Sequence, residues 1–186
     1  MKKNLLIVVD MQNDFVTGAL KNEQAMAIVP AVKAKIEAAL ADEDNTEIVF
    51  TRDTHHADYM NTEEGAHLPV PHCMEGTWGW EVIDELKDFT AGHKVFDKLT
   101  FGSSELLHWL ENDGKSFQNI ELIGVCTDIC VISNAMIAKA ALPNAKISVD
   151  AACTAGVTPA SHDNALSAMT VCHIVVNNQG KERWRG

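Results

Sequence analysis

The sequence predicts a three-layer α/β fold, in which a mainly parallel six-stranded sheet carries helices on both of its faces. Short apolar runs alternate with longer segments of helical character, which is typical of βαβ units with parallel strands. The first run, residues 5–9, contains no polar side chain, as expected of a strand that is buried on both faces. At 186 residues the chain fits a single domain, 1–186, with a substantial core.

Six apolar runs are predicted as strands, at residues 5–9, 48–51, 93–96, 119–125, 145–149 and 173–176. Helices are predicted between them, at residues 30–41, 79–87, 104–112, 132–142 and 159–169. Ser103 or Ser104 is a suitable N-cap residue for the helix that ends near residue 112. Thr158 suits the N-cap of the helix 159–169, and Pro159 suits its first position. Segment 54–78 has no predicted element, and unstructured segments of this length are usually functional.

Charge and composition argue against several classes of partner. The net charge of −11 disfavours nucleic acid or an anionic membrane surface. No apolar run approaches the ~18 residues of a membrane span, and the apolar stretch near the N-terminus is too short for a signal peptide. The five cysteines are odd in number and scattered, which disfavours a disulfide framework. We therefore expect a reduced, cytoplasmic protein that binds neither nucleic acid nor membrane.

Four reactive side chains are predicted along one edge of the sheet. Asp10, Asp53 and Lys98 stand at or just after the carboxyl ends of predicted strands, and Cys130 follows the end of another. In parallel α/β sheets this edge is where ligands bind. Each charged residue alone could simply be solvated, but four reactive residues on one edge favour an active site.

Cys130 lies in the turn between the predicted strand 119–125 and an Ala-rich helix. Thr127 and Asp128 are good N-cap residues, so Cys130 is predicted in the first helical turn. The free N–H groups and the dipole of that turn lower the pKa of a thiol. Cys130 could instead be a small apolar core residue, which is the commoner role of a free cysteine.

These residue types suit acyl transfer through a cysteine. Lys98 provides a cation beside the thiolate, and Asp10 can take the thiol proton, pass it to a departing amine and later activate water. The backbone N–H groups of Cys126 and Cys130 are natural donors to an oxyanion. We therefore expect attack on a small carboxamide, loss of ammonia and hydrolysis of a thioester.

Five motifs occur in order along the chain: 8–15 (VVDMQNDF), 51–55 (TRDTH), 71–73 (PHC), Lys98 at a strand end and 124–131 (GVCTDICV). With these motifs the chain resembles the isochorismatase-like cysteine hydrolases, and within them the nicotinamidases. The resemblance implies a Rossmann-like fold, a triad of Asp10, Lys98 and Cys130, and a cis peptide between Val125 and Cys126. It also implies a homo-oligomer that hydrolyses nicotinamide to nicotinate and ammonia, a step of NAD salvage.

A metal site is predicted around segment 54–78. The expected ligands are Asp53, His55, Glu64 and His72. Carboxylates and imidazoles suit borderline divalent ions, and the resemblance implies a metal, zinc with iron or manganese as alternatives, that binds the pyridine nitrogen. The spacing from Glu64 to His72 is one residue longer than in the family, so Glu63 and His67 are alternative ligands. A loop histidine such as His67 more often bonds to the backbone, and His56 is expected to be exposed.

The substrate-binding wall is less well defined. By the resemblance, Phe15 packs against the pyridine ring, although core packing explains this residue equally well. Many nicotinamidases carry an aromatic residue three positions before the metal histidine, where this chain has Pro69. Trp78 or Trp80 could replace it. This departure bears on which amide is the substrate more than on the reaction of the triad.

Three other functions are compatible with parts of the pattern. The same triad could hydrolyse another small amide, such as an N-carbamoyl or ureido compound, but those relatives generally do not use the metal. Isochorismatase-type hydrolysis does not require the cysteine that is retained here. A non-enzymatic thiol redox sensor would use Cys130 alone, and such a protein would be expected to have lost other members of the triad.

Overall fold

Six strands form one sheet in the computed structural model, which describes residues 2–186. They are β1 (Asn4–Val9), β2 (Thr46–Asp53), β3 (Lys94–Lys98), β4 (Asn119–Val125), β5 (Lys146–Ala155) and β6 (Val175–Asn177). Their order across the sheet is β3-β2-β1-β4-β5-β6, and every neighbouring pair is parallel. The predicted α/β fold is confirmed, with a sheet that is wholly rather than mainly parallel.

Helices cover both faces of the sheet. They are α1 (Asn13–Val16), α2 (Glu23–Leu40), α3 (Glu63–His67), α4 (Ser104–Asn112), α5 (Ile132–Ala141) and α6 (Pro159–Val171). On one face, α4, α5 and α6 contribute Leu110, Ala135 and Leu166 to the core. On the other face, α2 contributes Ile28 and Val32. No helix within residues 2–186 is long and apolar enough to cross a membrane.

The register of the strands brings their carboxyl ends to one edge. Val9 pairs with Thr51 of β2 and with Gly124 of β4, and Asp53 pairs with Lys98. From β1 the chain adds β2 and β3 on one side of the sheet, and it then adds β4, β5 and β6 on the other side. The change of direction between β1 and β4 creates the crevice in which such folds bind ligands. Gly124 permits the close approach of β4 to β1, because its φ is +110° and a Cβ there would lie 2.1 Å from the carbonyl oxygen of Val9.

Helix α2 begins at Glu23, earlier than the predicted start near Pro30. Its N-cap is Asn22, whose side chain accepts hydrogen bonds from the N–H groups of Gln24 and Ala25. Pro30 lies inside the helix on its exposed side, where water can bond the carbonyl group that a proline leaves unpaired.

The prediction of a helix at residues 79–87 is wrong. Only two short 3-10 turns, Trp78–Trp80 and Lys87–Thr90, are present around this segment. The chain between them pairs with residues that follow β1, and Ile83 N–H donates to the carbonyl oxygen of Met11 at 3.0 Å. These backbone groups are therefore used by a contact distant in sequence, which the local pattern does not reveal.

Strand β5 continues past Asp150, where the sequence pattern predicts its end. The carboxylate of Asp150 accepts the Ala152 N–H at 3.1 Å and lies 2.7 Å from Lys35 Nζ. After a register shift, pairing with β4 resumes at Thr154 and Ala155. The polar residue is accommodated inside the strand because its charge is paired.

Candidate active site

Asp10, Lys98 and Cys130 meet at the carboxyl edge of the sheet, and all three are almost wholly buried. Lys98 Nζ lies 2.7 Å from Asp10 Oδ2 and 3.4 Å from Cys130 Sγ. It also lies 3.0 Å from Asp53 Oδ1, so one ammonium group faces two carboxylates. Asp10 follows β1, Lys98 ends β3 and Cys130 lies in the turn after β4. The structure thus brings together the three residues of the predicted triad.

The pKa of the Cys130 thiol shifts in the direction opposite to the prediction. Burial raises the pKa of the Cys130 thiol well above its ordinary value, and the Lys98 ammonium only partly opposes this effect. Burial lowers the pKa of Lys98, but the carboxylate charges of Asp10 and Asp53 raise it well above its ordinary value. Burial thus outweighs the ammonium charge, and the lowered thiol pKa expected at a helix start is wrong.

Asp10 has a carboxylate oxygen that can accept a proton. Burial raises the pKa of its carboxyl group, while the charge of Lys98 lowers it. Oδ1 accepts a hydrogen bond from Thr51 Oγ1 at 2.6 Å. Within residues 2–186, Oδ2 has no partner besides the ion-paired Lys98, so a lone pair remains available for a proton.

A π-helical turn, Thr127–Val131, carries the cysteine and leads into α5. Neither of the predicted cap residues caps this helix. Thr127 Oγ1 lies 2.8 Å from His162 Nδ1, and the carboxylate of Asp128 accepts the Val157 N–H at 3.1 Å. The turn is therefore anchored to later parts of the chain rather than to its own helix.

The peptide bond between Val125 and Cys126 is cis, as the family resemblance predicts. Cys126 and Cys130, whose N–H groups are the predicted oxyanion donors, both line the cavity described below. Asn134, which sequence analysis missed, holds the other side of the turn by donating from Nδ2 to the Cys130 carbonyl oxygen at 2.8 Å. Its signal in the sequence is a polar side chain within an otherwise Ala-rich helix, where a buried amide must find partners.

Beside the triad, four side chains form a second cluster, in which one ligand atom from each lies within 4.8 Å of the others. They are Asp53, His55, Glu64 and His72. His55 Nε2 lies 3.0 Å from Asp53 Oδ2 and 3.6 Å from Glu64 Oε1. His72 Nε2 lies 3.4 and 3.6 Å from the same two oxygens. Ligands at about 2.0–2.1 Å from a tetrahedral zinc ion are separated by about 3.3 Å, so these distances fit such a site.

The hydrogen bonds and charges of this cluster also suit a cation. His72 Nδ1 lies 2.8 Å from the Val70 carbonyl oxygen, which only accepts, so Nδ1 carries a proton and Nε2 is the ring atom directed at the cluster. Burial raises the pKa of Asp53, but hydrogen bonds from His55 and His72 lower it well below its usual range. Two imidazoles and two carboxylates suit zinc, iron or manganese.

The short helix α3 presents Glu64, rather than either alternative, to the cluster. The Glu64 side chain is 16% exposed, whereas those of Glu63 and His67 are 91% and 77% exposed. His67 Nδ1 lies 2.9 Å from the Glu63 carbonyl oxygen, which is the backbone bond expected of a loop histidine. His56 is half exposed beside Glu75, as predicted.

Two buried polar residues near the N-terminus position the metal-ligand candidates, and sequence analysis gave them no role. Gln12 Oε1 accepts the Asp53 N–H at 2.7 Å, and Gln12 Nε2 donates to the Asp53 carbonyl oxygen at 2.8 Å. Asp14 Oδ2 accepts the Cys73 N–H at 2.7 Å, directly after His72. Their signal is the density of polar residues in motif 8–15, since buried polar groups require partners.

A cavity of about 1050 Å³ opens onto both clusters. Its apolar walls are Phe15, Leu20, Leu68, Phe101, Ile129 and Val157. Phe15 packs into the core, as one interpretation predicts, and its ring lies at the cavity wall with its centroid 5.7 Å from that of His72; its contact with a substrate ring stays a prediction. The tryptophans expected as substitutes for the missing aromatic residue are absent from these walls, and Trp80 instead stacks under Arg52 at 3.7 Å.

Comparisons with known proteins agree with this geometry. The chain is 27% identical over 184 residues to a nicotinamidase/pyrazinamidase of Mycobacterium tuberculosis, covering 91% of this chain and 95% of that one. A zinc-bound pyrazinamidase of Pyrococcus horikoshii is 28% identical, with a TM-score of 0.77 and coverage of 94% and 98%. N-carbamoylsarcosine amidase of Thermoplasma acidophilum is 29% identical, with a TM-score of 0.75 and coverage of 94% and 95%. The Isochorismatase domain profile matches residues 4–179, and the predicted family is confirmed: the chain belongs to the isochorismatase family of hydrolases.

Proposed function

We propose that the protein is a metal-dependent amidohydrolase that converts nicotinamide to nicotinate and ammonia. One observation carries the proposal: the thiol cluster and the metal-ligand cluster share Asp53, which contacts Lys98 through Oδ1 and His55 through Oδ2. The proposed nucleophile therefore lies beside the candidate divalent-ion site in one cavity. The nicotinamidase/pyrazinamidase relative and the zinc-bound pyrazinamidase support this assignment.

Cys130 and Asp10 carry the bond and proton changes of the proposed reaction. Sγ bonds to the carboxamide carbon as the thiol proton passes to Asp10, and the C–N bond then breaks as Asp10 gives that proton to the leaving ammonia. Asp10 next deprotonates a water molecule that attacks the thioester, and it returns the proton to sulfur as the acid leaves. Lys98 stays protonated and stabilises the charge on sulfur and on Asp10.

The remaining residues bind and orient the substrate in this proposal. The N–H groups of Cys126 and Cys130 donate to the oxyanion, and Phe15 lies against the ring. Asp53, His55, Glu64 and His72 would hold a divalent ion, zinc, which would supply a Lewis acid for the ring nitrogen.

The test is release of ammonia from nicotinamide by the purified protein, before and after chelation and again after zinc is returned. We expect release that falls on chelation, recovers with metal and is abolished in Cys130→Ala. Cys172→Ala is the matched control, because this exposed cysteine lies outside the cavity and its loss should leave the rate unchanged. Absence of ammonia release from the zinc-loaded wild-type protein would refute nicotinamide as the substrate.

A second candidate substrate is a small N-carbamoyl compound. Pro69 stands where many nicotinamidases have an aromatic residue, and the N-carbamoylsarcosine amidase resembles this chain as closely as the pyrazinamidase does. The two candidates differ in their need for metal. Turnover of N-carbamoylsarcosine that is unaffected by chelation, with none of nicotinamide, would favour the second candidate.

A further inference from the structure

The C-terminal segment, residues 181–186, lies beyond the part of the chain that the family profile matches. Its Glu182 is nevertheless only 3% exposed, and Trp184 is partly buried against the core on the α2 face of the sheet. A carboxylate is rarely buried unless it is paired. The partners of Glu182 therefore indicate what the segment does.

Glu182 is linked to the cysteine turn through one histidine. His162 of α6 is fully buried; its Nε2 lies 3.3 Å from Glu182 Oε1 and its Nδ1 lies 2.8 Å from Thr127 Oγ1. The carboxylate only accepts, so Nε2 carries the proton and Nδ1 accepts from the Thr127 hydroxyl group. The hydrogen bonds thus run in one direction, from Thr127 to His162 to Glu182.

Arg185 and Trp184 of the C-terminal segment make further contacts with Glu182 and His162. Arg185 Nε donates to Glu182 Oε2 at 2.5 Å, and the same guanidinium group pairs with Asp163 of α6. The Trp184 ring meets the His162 ring edge-on, with centroids 5.1 Å apart. His162, Asp163 and Glu182 are close enough to bind a metal ion, but Arg185 already neutralises both carboxylates. We therefore assign this cluster to the positioning of His162 and Thr127 rather than to a second metal centre.

We propose that the C-terminal segment 181–186 is a positioning element for the Thr127–Val131 turn, and that Glu182 acts on this turn through His162 and Thr127. Thr127 lies between Cys126 and Cys130, the two residues whose N–H groups are assigned to the oxyanion. A shift of the turn would therefore misalign the nucleophile and both donors together. The activity readout of this proposal rests on the proposed function, but the readout from hydrogen exchange does not.

The first arm of the test measures turnover of nicotinamide by the zinc-loaded full-length protein. Glu182→Ala and Thr127→Val should each lower kcat by about tenfold or more with little change in KM, which is the size of effect known for residues that orient a functional group. Thr127→Ser keeps the hydroxyl group and should retain most of the activity. Arg183→Ala is the matched control, since this exposed residue of the same segment should leave kcat unchanged.

The double variant distinguishes positioning from general destabilisation. Because both residues act through one chain of hydrogen bonds, Thr127→Val combined with Glu182→Ala should lose about as much kcat as either single change. Two independent structural defects would instead multiply their effects. Multiplied losses, or a Glu182→Ala protein with wild-type kcat, would overturn the proposal.

The second arm measures amide hydrogen exchange and needs no knowledge of the substrate. Glu182→Ala and the milder Glu182→Gln should both accelerate exchange at residues 126–131 while β1 and β4 keep their protection. If exchange rises only within residues 181–186, the link to the turn is refuted. If wild-type protein does not hydrolyse nicotinamide, the proposed function fails and this arm still decides the positioning role.

Discussion

Asp10→Asn should remove proton transfer at the active site while costing the folded protein little stability. The wild-type site places two buried carboxylates, of Asp10 and Asp53, around the single ammonium group of Lys98. Changing Asp10 to Asn removes the excess negative charge and leaves Lys98 paired to Asp53 at 3.0 Å. The Thr51 hydroxyl group, 2.6 Å from Asp10 Oδ1, can still donate to the amide oxygen. We therefore expect a loss of only about 1–3 kcal/mol in the free energy of unfolding.

The catalytic loss should be far larger than the loss of stability. An amide cannot accept the thiol proton or return it to ammonia, and general acid–base groups contribute roughly 10²–10⁴-fold to rate. We expect kcat for ammonia release to fall by at least about 100-fold. Thr51→Val is the matched control, because it removes a hydrogen bond to Asp10 but keeps the proton acceptor, and it should cost less than about tenfold.

Lys98→Met should lower the free energy of unfolding much more than Asp10→Asn does. It leaves the Asp10 and Asp53 carboxylates buried without their cation, and breaking a buried ion pair in this way costs about 3–5 kcal/mol. Urea unfolding of the metal-free proteins measures both values. If Asp10→Asn keeps more than a tenth of the wild-type kcat, Asp10 is not the proton carrier. If the two variants unfold with the same free energy, Lys98 does not neutralise both buried carboxylates.

Three further predictions follow from the geometry. Glu64→Gln should weaken zinc binding by at least about tenfold in a competition titration, whereas the exposed Glu63→Gln should match wild type; equal affinities would remove Glu64 from the site. Gly124→Ala should lower the free energy of unfolding by about 3 kcal/mol or more, because its Cβ would lie 2.1 Å from the Val9 carbonyl oxygen; a near-wild-type urea midpoint would contradict this packing. Burial lowers the pKa of His162 from its ordinary value of 6.5, although Glu182 opposes this, so the stability that neutral His162 contributes is complete above that pH and declines below it. The Tm advantage of wild type over His162→Gln should therefore shrink between about pH 7.5 and 5, and a constant difference would count against the assignment.

The sheet and the edge that carries the site can be predicted from the sequence. Apolar runs such as residues 5–9 identify buried strands by a local pattern, and the polar residue that follows each run then lies at the carboxyl edge. Asp10 is found in this way, and Lys98 lies two residues after the run at 93–96, since alternating strands and helices make a parallel sheet whose ends meet at one edge. The motifs around Asp53 and Cys130 add the family and the metal-ligand types.

Other features depend on contacts between residues distant in sequence. The segment at 79–87 is not helical because its backbone pairs with residues after β1, and α3 alone selects Glu64 from three candidate ligands. The raised pKa of Cys130 follows from burial, which no local pattern measures. The link from Glu182 to the cysteine turn joins residues that the sequence separates widely, through a histidine with no motif of its own.

The sequence by itself therefore determined the parallel α/β sheet, the family and the reactive residue types at the sheet edge. These properties depend on local hydrophobic patterns and on motifs, which are readable along the chain. The tertiary structure alone decided the fourth metal-ligand candidate, the burial that raises the thiol pKa and the side chains that hold the cysteine turn. The physical reason is that desolvation and hydrogen-bond geometry depend on which groups share a buried space, and that is known only once the chain has folded.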